Sequence, residues 1–243
     1  MPQLEWIEGE NLFGFTVIRH DLPRAGNKPF IHLTRLGRGV IHTTEGATID
    51  NAIATLASKF DGPHFVVGGD HIIQGRPLNV QGASLRQNPG APLTNARADV
   101  QIECVGFSQT KLWMFDDWAK HAFPINPISK KPVASASDFK GSTLNPLVAL
   151  LAWLTQNAGI PLTRPSPNWK DDMTDCPLPW AVASNRRRLS KVWDTNAQGW
   201  FGHLEVQHQE NSNHFDPGAL DYTTLFAKVT ALTAGPAPGA PQQ

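Results

Sequence analysis

Apolar residues recur along the chain at two spacings, and the longer of these predicts helices. In Thr48–Phe60 the apolar residues stand at 49, 52, 53, 56, 57 and 60, the period of an amphipathic helix, with Thr48 as its N-cap. The stretch Thr143–Ala158 predicts a longer helix with Pro146 in its first turn, where proline is tolerated, and Gly159 as its stop. Three further segments are also predicted as helices: Lys111–Ala122, Asn185–Trp193 and Gly218–Leu232.

Short runs of β-branched and apolar residues predict strands. Gly37–Thr44 runs through a Val-Ile pair directly into His42, which predicts a buried strand that ends at a polar site. His64–Gly75 predicts a β-hairpin that turns at its Gly-Gly-Asp sequence. Val100–Gly106 predicts a strand with one acid, Glu103, among apolar neighbours. Two other segments are also predicted as strands: Phe15–His20 and Gly199–Val206.

The segment Gly202–Tyr222 concentrates imidazole and carboxylate side chains: His203, Glu205, His208, His214 and Asp216. These are ligand types that suit zinc with an open coordination position. The alternative is a polar surface loop that closes in an Asp-Pro-Gly turn. The segment alone leaves both interpretations open, because a further ligand has to come from elsewhere in the chain.

Composition changes this picture mainly by exclusion. The chain has 243 residues, a net charge of +0, 40% hydrophobic and 17% charged residues, so no global charge indicates nucleic acid or an anionic membrane. Its two cysteines, Cys104 and Cys176, allow at most one disulfide, and Cys104 lies in an apolar run that predicts a buried thiol. We find neither a transmembrane pattern nor a secretory signal, so synthesis in a cytoplasm is expected.

Six motifs occur in one order between Gly39 and Tyr222: GVIHTTEG, PHFVVGGDHIIQG, VQIECVG, TLNPLVALLAWLTQNAGIP, GHLEV and NHFDPGALDY. With this spacing the chain resembles the zinc-dependent N-acetylmuramoyl-L-alanine amidase family, whose fold is shared by phage lysins and peptidoglycan-recognition proteins. Its closing segment is similar to lysins of phages that infect actinobacteria. The resemblance implies one α/β domain, with a central mixed β-sheet flanked by α-helices and a zinc site at one edge of the sheet. We expect this domain to span residues 1–234, followed by a Pro/Gly/Ala-rich linker or tail at 235–243.

The resemblance also implies roles for individual residues. The zinc ligands fall on His42, His203 and Asp216, and a catalytic carboxylate falls on Glu103. Many relatives have Lys where this chain has His214. His214 would then help to stabilise the negative charge on the oxygen of the tetrahedral intermediate. Pro63 replaces an aromatic residue that several members have before the hairpin. His64 is expected to pack in the hairpin or to orient a ligand, and His208 to be a loop residue. Glu45 and Glu205 are expected to support the ligands. Structural roles are expected for the remaining histidines: His20, His32, His71 and His121.

The implied function is hydrolysis of the amide between N-acetylmuramic acid and L-alanine in peptidoglycan, for host-cell lysis by a phage. Zn²⁺ is the expected cofactor and the muramyl stem peptide the expected partner; neither nucleic acid nor membrane insertion is expected, and we expect a monomer. Such an enzyme is made in the host cytoplasm and reaches the wall after release through a holin-type lesion or another route. The alternatives are a non-catalytic peptidoglycan-binding module on the same fold and, more distantly, a zinc peptidase that cuts within the stem peptide.

Overall fold

The computed structural model describes residues 5–22, 36–44, 46–59, 62–85, 95, 98–106, 141–165, 193, 196–203, 206, 216 and 222–235. Several sequence-based expectations concern residues outside this set: the helices at 111–122 and 185–192, the tail at 236–243, and Glu45, Cys176, Glu205, His208 and His214. His32 and His121 also lie outside it.

The described strands form one mixed seven-stranded sheet with the order β1-β2-β5-β4-β6-β3-β7. The strands are β1 (Asn11–Leu12), β2 (Phe15–Arg19), β3 (Arg38–Thr43), β4 (Phe65–Gly68), β5 (His71–Gln74), β6 (Val100–Cys104) and β7 (Gly199–Gly202). Only the β1–β2 and β4–β5 pairs are antiparallel, and the other neighbours run parallel. The predicted α/β fold with a central mixed sheet is therefore confirmed.

Helices cover both faces of the sheet. They are α1 (Ile49–Lys59), α2 (Gly141–Trp153, continued by a π-helical turn at Leu154–Ala158) and α3 (Tyr222–Thr233). Because side chains alternate along a strand, β4 contributes Val66 to the core under α1, and Phe65 and Val67 to the core under α2 and α3. In the part of the chain that the structure describes, no helix is long and apolar enough to cross a membrane.

The local predictions for α1 and the hairpin are confirmed. The Thr48 hydroxyl accepts a hydrogen bond from the Asn51 amide at 3.3 Å, as an N-cap does. The hairpin turns at Gly69 and Asp70, whose φ angles are 58° and 61°. Two consecutive positive φ angles are the signature of a type I′ turn, which explains why glycine and aspartate stand there.

The prediction that Pro146 lies in the first turn of its helix is wrong, because α2 begins at Gly141 and Pro146 lies inside it. A proline at this position has no N–H to donate to the carbonyl of Ser142, four residues earlier. The Asp70 amide, in the hairpin turn, donates to the Ser142 carbonyl instead, at 2.8 Å. A tertiary contact thus supplies the hydrogen bond that the helix cannot make. The predicted stop at Gly159 is confirmed by its left-handed conformation.

Candidate metal centre

Strand register brings His42 and Glu103 together. They are paired residues on the neighbouring parallel strands β3 and β6, so both side chains project from the same face of the sheet. Both are buried, and His42 Nδ1 lies 3.9 Å from Glu103 Oε1. Residues more than fifty positions apart in the sequence therefore face one another because two β-branched and apolar runs pair in register.

His203 joins them from the sheet's edge strand. β7 pairs with β3 up to Ile41 opposite Gly202, and His203 follows immediately. The chain then turns, with the Val206 amide donating to the His203 carbonyl at 3.0 Å. The predicted strand Gly199–Val206 is thus shorter than expected, but it delivers His203 as predicted.

Three potential ligand atoms converge at this end of β3 and β7. His42 Nδ1 lies 3.0 Å from His203 Nδ1, and Asp216 Oδ2 lies 3.1 Å from the His203 nitrogen and 3.4 Å from the His42 nitrogen. Zinc bonds to nitrogen and oxygen of roughly 2.0 to 2.2 Å, arranged as a tetrahedron, place neighbouring ligand atoms about 3.3 Å apart. The three side chains are buried, and together they could hold a metal ion. The donor set and its spacing fit zinc.

The carboxylate of Asp216 also contacts the main chain. Its Oδ2 accepts a hydrogen bond from the Thr43 amide at 3.4 Å, one residue beyond His42. Sequence reasoning missed this contact, because a main-chain donor has no residue-type signature. Glu45, Glu205, His208 and His214 lie outside the described residues, so their expected roles near the site stay predictions.

Arg38 anchors the chain just before β7, and sequence reasoning missed it as well. Its side chain donates from Nε to the Ala197 carbonyl at 2.7 Å and from Nη1 to the Trp193 carbonyl at 2.8 Å. Both carbonyls lie upstream of the strand that delivers His203. The signal was present in the sequence as a charged residue directly before the apolar run of a buried strand, where its guanidinium needs hydrogen-bond acceptors.

His64 is a structural histidine. It is fully buried; its Nδ1 accepts the Gln101 amide at 3.0 Å, so Nε2 carries the proton and donates to the Val80 carbonyl at 2.8 Å. Burial lowers the pKa of His64 from 6.5 to about 4, although the Val80 hydrogen bond opposes this shift. His64 was expected to pack in the hairpin or to orient a ligand; its side chain is buried, and its two ring nitrogens bind main-chain groups outside the hairpin, at Gln101 and Val80.

Cys104 is a buried free thiol, as predicted. Burial raises the pKa of this thiol well above its usual value, and the charges of Glu103 and Asp216 raise it further. The Cys104 side chain is therefore neutral at physiological pH, and a thiolate is disfavoured there.

Comparison with known proteins identifies the fold. No protein-family model and no curated protein sequence matches this chain. The structure is similar to the hydrolase AmiA of Staphylococcus aureus, with a TM-score of 0.51 and 14% sequence identity over 90% of this chain and 83% of that chain. It is also similar to the N-acetylmuramoyl-L-alanine amidase LysC of Clostridium intestinale URNW, with a TM-score of 0.48 and 16% identity over 88% of this chain and 97% of that chain. At these identities the comparison shows the fold, and the second superposition is too loose to add an argument.

Proposed function

We propose that the protein is a zinc-dependent N-acetylmuramoyl-L-alanine amidase that hydrolyses peptidoglycan. The observation that carries this proposal is the convergence of the ligand atoms of His42, His203 and Asp216 within 3.0–3.4 Å, beside the buried carboxylate of Glu103. The six sequence motifs that resemble this family support the proposal. So does the fold shared with AmiA, which is itself named a hydrolase.

Two roles in amide hydrolysis are assigned to residues of this chain: metal binding and proton transfer. His42, His203 and Asp216 would hold Zn²⁺, which as a Lewis acid polarises an amide carbonyl and lowers the pKa of water. Glu103 accepts a proton from the attacking water and passes it to the departing amine. The amine is a poor leaving group until its nitrogen is protonated, so this transfer allows the C–N bond to break. The 3.9 Å between Glu103 Oε1 and His42 Nδ1 puts this carboxylate beside the ligand atoms.

His214 completes the proposed machinery from the segment outside the described residues. As an imidazolium it would stabilise the negative charge that develops on the tetrahedral oxygen. The biological role that fits is lysis of a bacterial host by a phage, with the enzyme reaching the cell wall from the cytoplasm through a holin-type lesion or another route. The proposed active form is a monomer.

Mass spectrometry of digested peptidoglycan tests the proposal. Purified sacculi treated with the protein should yield stem peptides with a new L-alanine amino terminus and glycan strands with a free lactyl carboxylate. The Glu103→Gln variant is the matched control, because it keeps the proposed ligands and removes the base. Binding to sacculi without any new amine would instead indicate a binding module, and new amino termini within the stem peptide would indicate a peptidase. Either result would overturn the amidase assignment.

A further inference from the structure

The hydrogen-bond ladder between β3 and β7 ends before the last residue of β3. Successive main-chain amides of a strand point to opposite sides. The Thr44 amide donates to the Cys104 carbonyl, on the β6 side, at 3.0 Å, so the Thr43 amide points toward β7. The paired residues of β3 and β7 end at Ile41 and Gly202, and the chain turns away at His203. The Thr43 amide is therefore directed to the side of β7, beyond the last paired residues of the two strands.

The carboxylate of Asp216 lies where the Thr43 amide points, beyond the last paired residues of β3 and β7. Its Oδ2 accepts the Thr43 amide at 3.4 Å, and the same oxygen faces the two imidazole nitrogens of the candidate metal centre. Asp216 is 3% exposed, so its ionised form has lost nearly all of its contact with water. A buried carboxylate is costly unless donors surround it, and a strand amide is a donor with a fixed direction.

We propose that the main-chain amide of Thr43 holds Asp216 in its ligating position before any metal binds. Thr43 is then a positioning residue that acts through its backbone. This inference rests on the metal site of the proposed function, and it is independent of the reaction that the site performs. Its consequence is a higher metal affinity, because a ligand that is already oriented loses little conformational freedom on binding.

Amide hydrogen exchange of the metal-free protein tests the contact directly. The Thr43 amide should exchange slowly in the wild type and in Asp216→Asn, which keeps an acceptor oxygen at this position. In Asp216→Ala it should exchange roughly tenfold faster or more, the scale of one hydrogen bond to a charged group. The Thr44 amide, bonded to Cys104, is the internal control and should not change. Equal Thr43 exchange in the wild type and Asp216→Ala would overturn the proposal.

Amide-to-ester substitution tests the consequence for the metal. Replacing Thr43 by its α-hydroxy acid analogue exchanges the amide N–H for an ester oxygen, which removes this donor and also weakens the His42 carbonyl as an acceptor. Calorimetric titration with Zn²⁺ should show affinity reduced roughly 10- to 100-fold. The same substitution at Thr44 removes a ladder bond of the same strand and should change the affinity much less. Wild-type affinity in the Thr43 ester, or an equal loss in both esters, would contradict the proposal. Zinc binding without hydrolysis of peptidoglycan would remove the proposed function and leave this inference intact, whereas absence of zinc binding by the wild type would overturn both.

Discussion

The Nδ1 atoms of His42 and His203 lie 3.0 Å apart, with ring centroids 4.5 Å apart and ring planes inclined by 59°. If both nitrogens present a lone pair, they repel one another unless a cation lies between them. If one of them carries a proton, that proton bridges the pair or, from His203, bonds to Asp216 Oδ2 at 3.1 Å, and a metal ion has to displace it. The pair therefore links the protonation of the site to its metal content.

Metal content is the first expected outcome. The purified protein should hold about one zinc ion per chain, and removal of the metal with a chelator should lower its thermal unfolding midpoint, since metal binding contributes to folding free energy. His42→Ala, His203→Ala and Asp216→Ala should each lose the zinc by elemental analysis. His71→Ala, at an exposed hairpin position, is the control and should keep it. Retention of zinc by the Asp216→Ala variant would show that the third ligand is a different residue.

The Glu103→Gln substitution separates catalysis from metal binding. The glutamine side chain has the shape of the glutamate carboxylate but cannot accept a proton from water. The rate at which the substrate amide is hydrolysed should therefore fall roughly a hundredfold or more. Zinc content and thermal unfolding should stay close to those of the wild type, because Glu103 is not a proposed ligand. A near-normal rate would mean that another group handles the proton.

The pH–rate profile tests the proposed role of His214. If His214 stabilises the tetrahedral oxygen as an imidazolium, activity should decline on the alkaline side as the imidazole loses its proton. A lysine at this position stays charged to about pH 10, so His214→Lys should extend the alkaline limit. His214→Ala should be slower and still contain zinc. Identical profiles for fully active His and Lys forms would contradict the role.

His64 predicts an acid limit to stability. Its pKa is about 4 in the folded protein against 6.5 in the unfolded chain, so between these values the unfolded state binds more protons. The free energy of unfolding should therefore fall as the pH drops from about 6.5 to about 4, by up to roughly 3 kcal/mol from this residue. Denaturant titrations of the metal-free wild type and the His64→Gln variant, repeated across this range, measure the contribution. The variant should be less stable at neutral pH but lose less on acidification, and equal losses would exclude His64 as the cause.

Residue pattern alone predicted several elements of the fold, including the strand that carries His42. The apolar period of α1, the glycines of the hairpin and the β-branched run before His42 are local signals, and each formed the expected element. The ligand set follows from resemblance to a family and stays a prediction; the structure brings His42, His203 and Asp216 together as a group that could hold a metal ion.

Tertiary contacts account for what the pattern did not predict. The predicted start of α2 is two residues too late. The helix begins at Gly141 because the Asp70 amide of the hairpin turn donates to the Ser142 carbonyl, to which Pro146 cannot donate. The Thr43 amide was missed because its role depends on where β7 ends, which is a property of strand register. Local sequence carries no information on either contact, since each joins segments far apart in the chain.

The hydrogen bond from Asp70 to Ser142 has a consequence for the order in which the protein folds. The Ser142 carbonyl, in the first turn of α2, accepts from a donor on another element, so this one hydrogen bond forms only when the hairpin turn and the helix have docked. This bond closes the long loop between Asp70 and Ser142, which costs chain entropy, so we expect it to form late in folding. Formation of this hydrogen bond during folding would therefore report that the hairpin and α2 have docked.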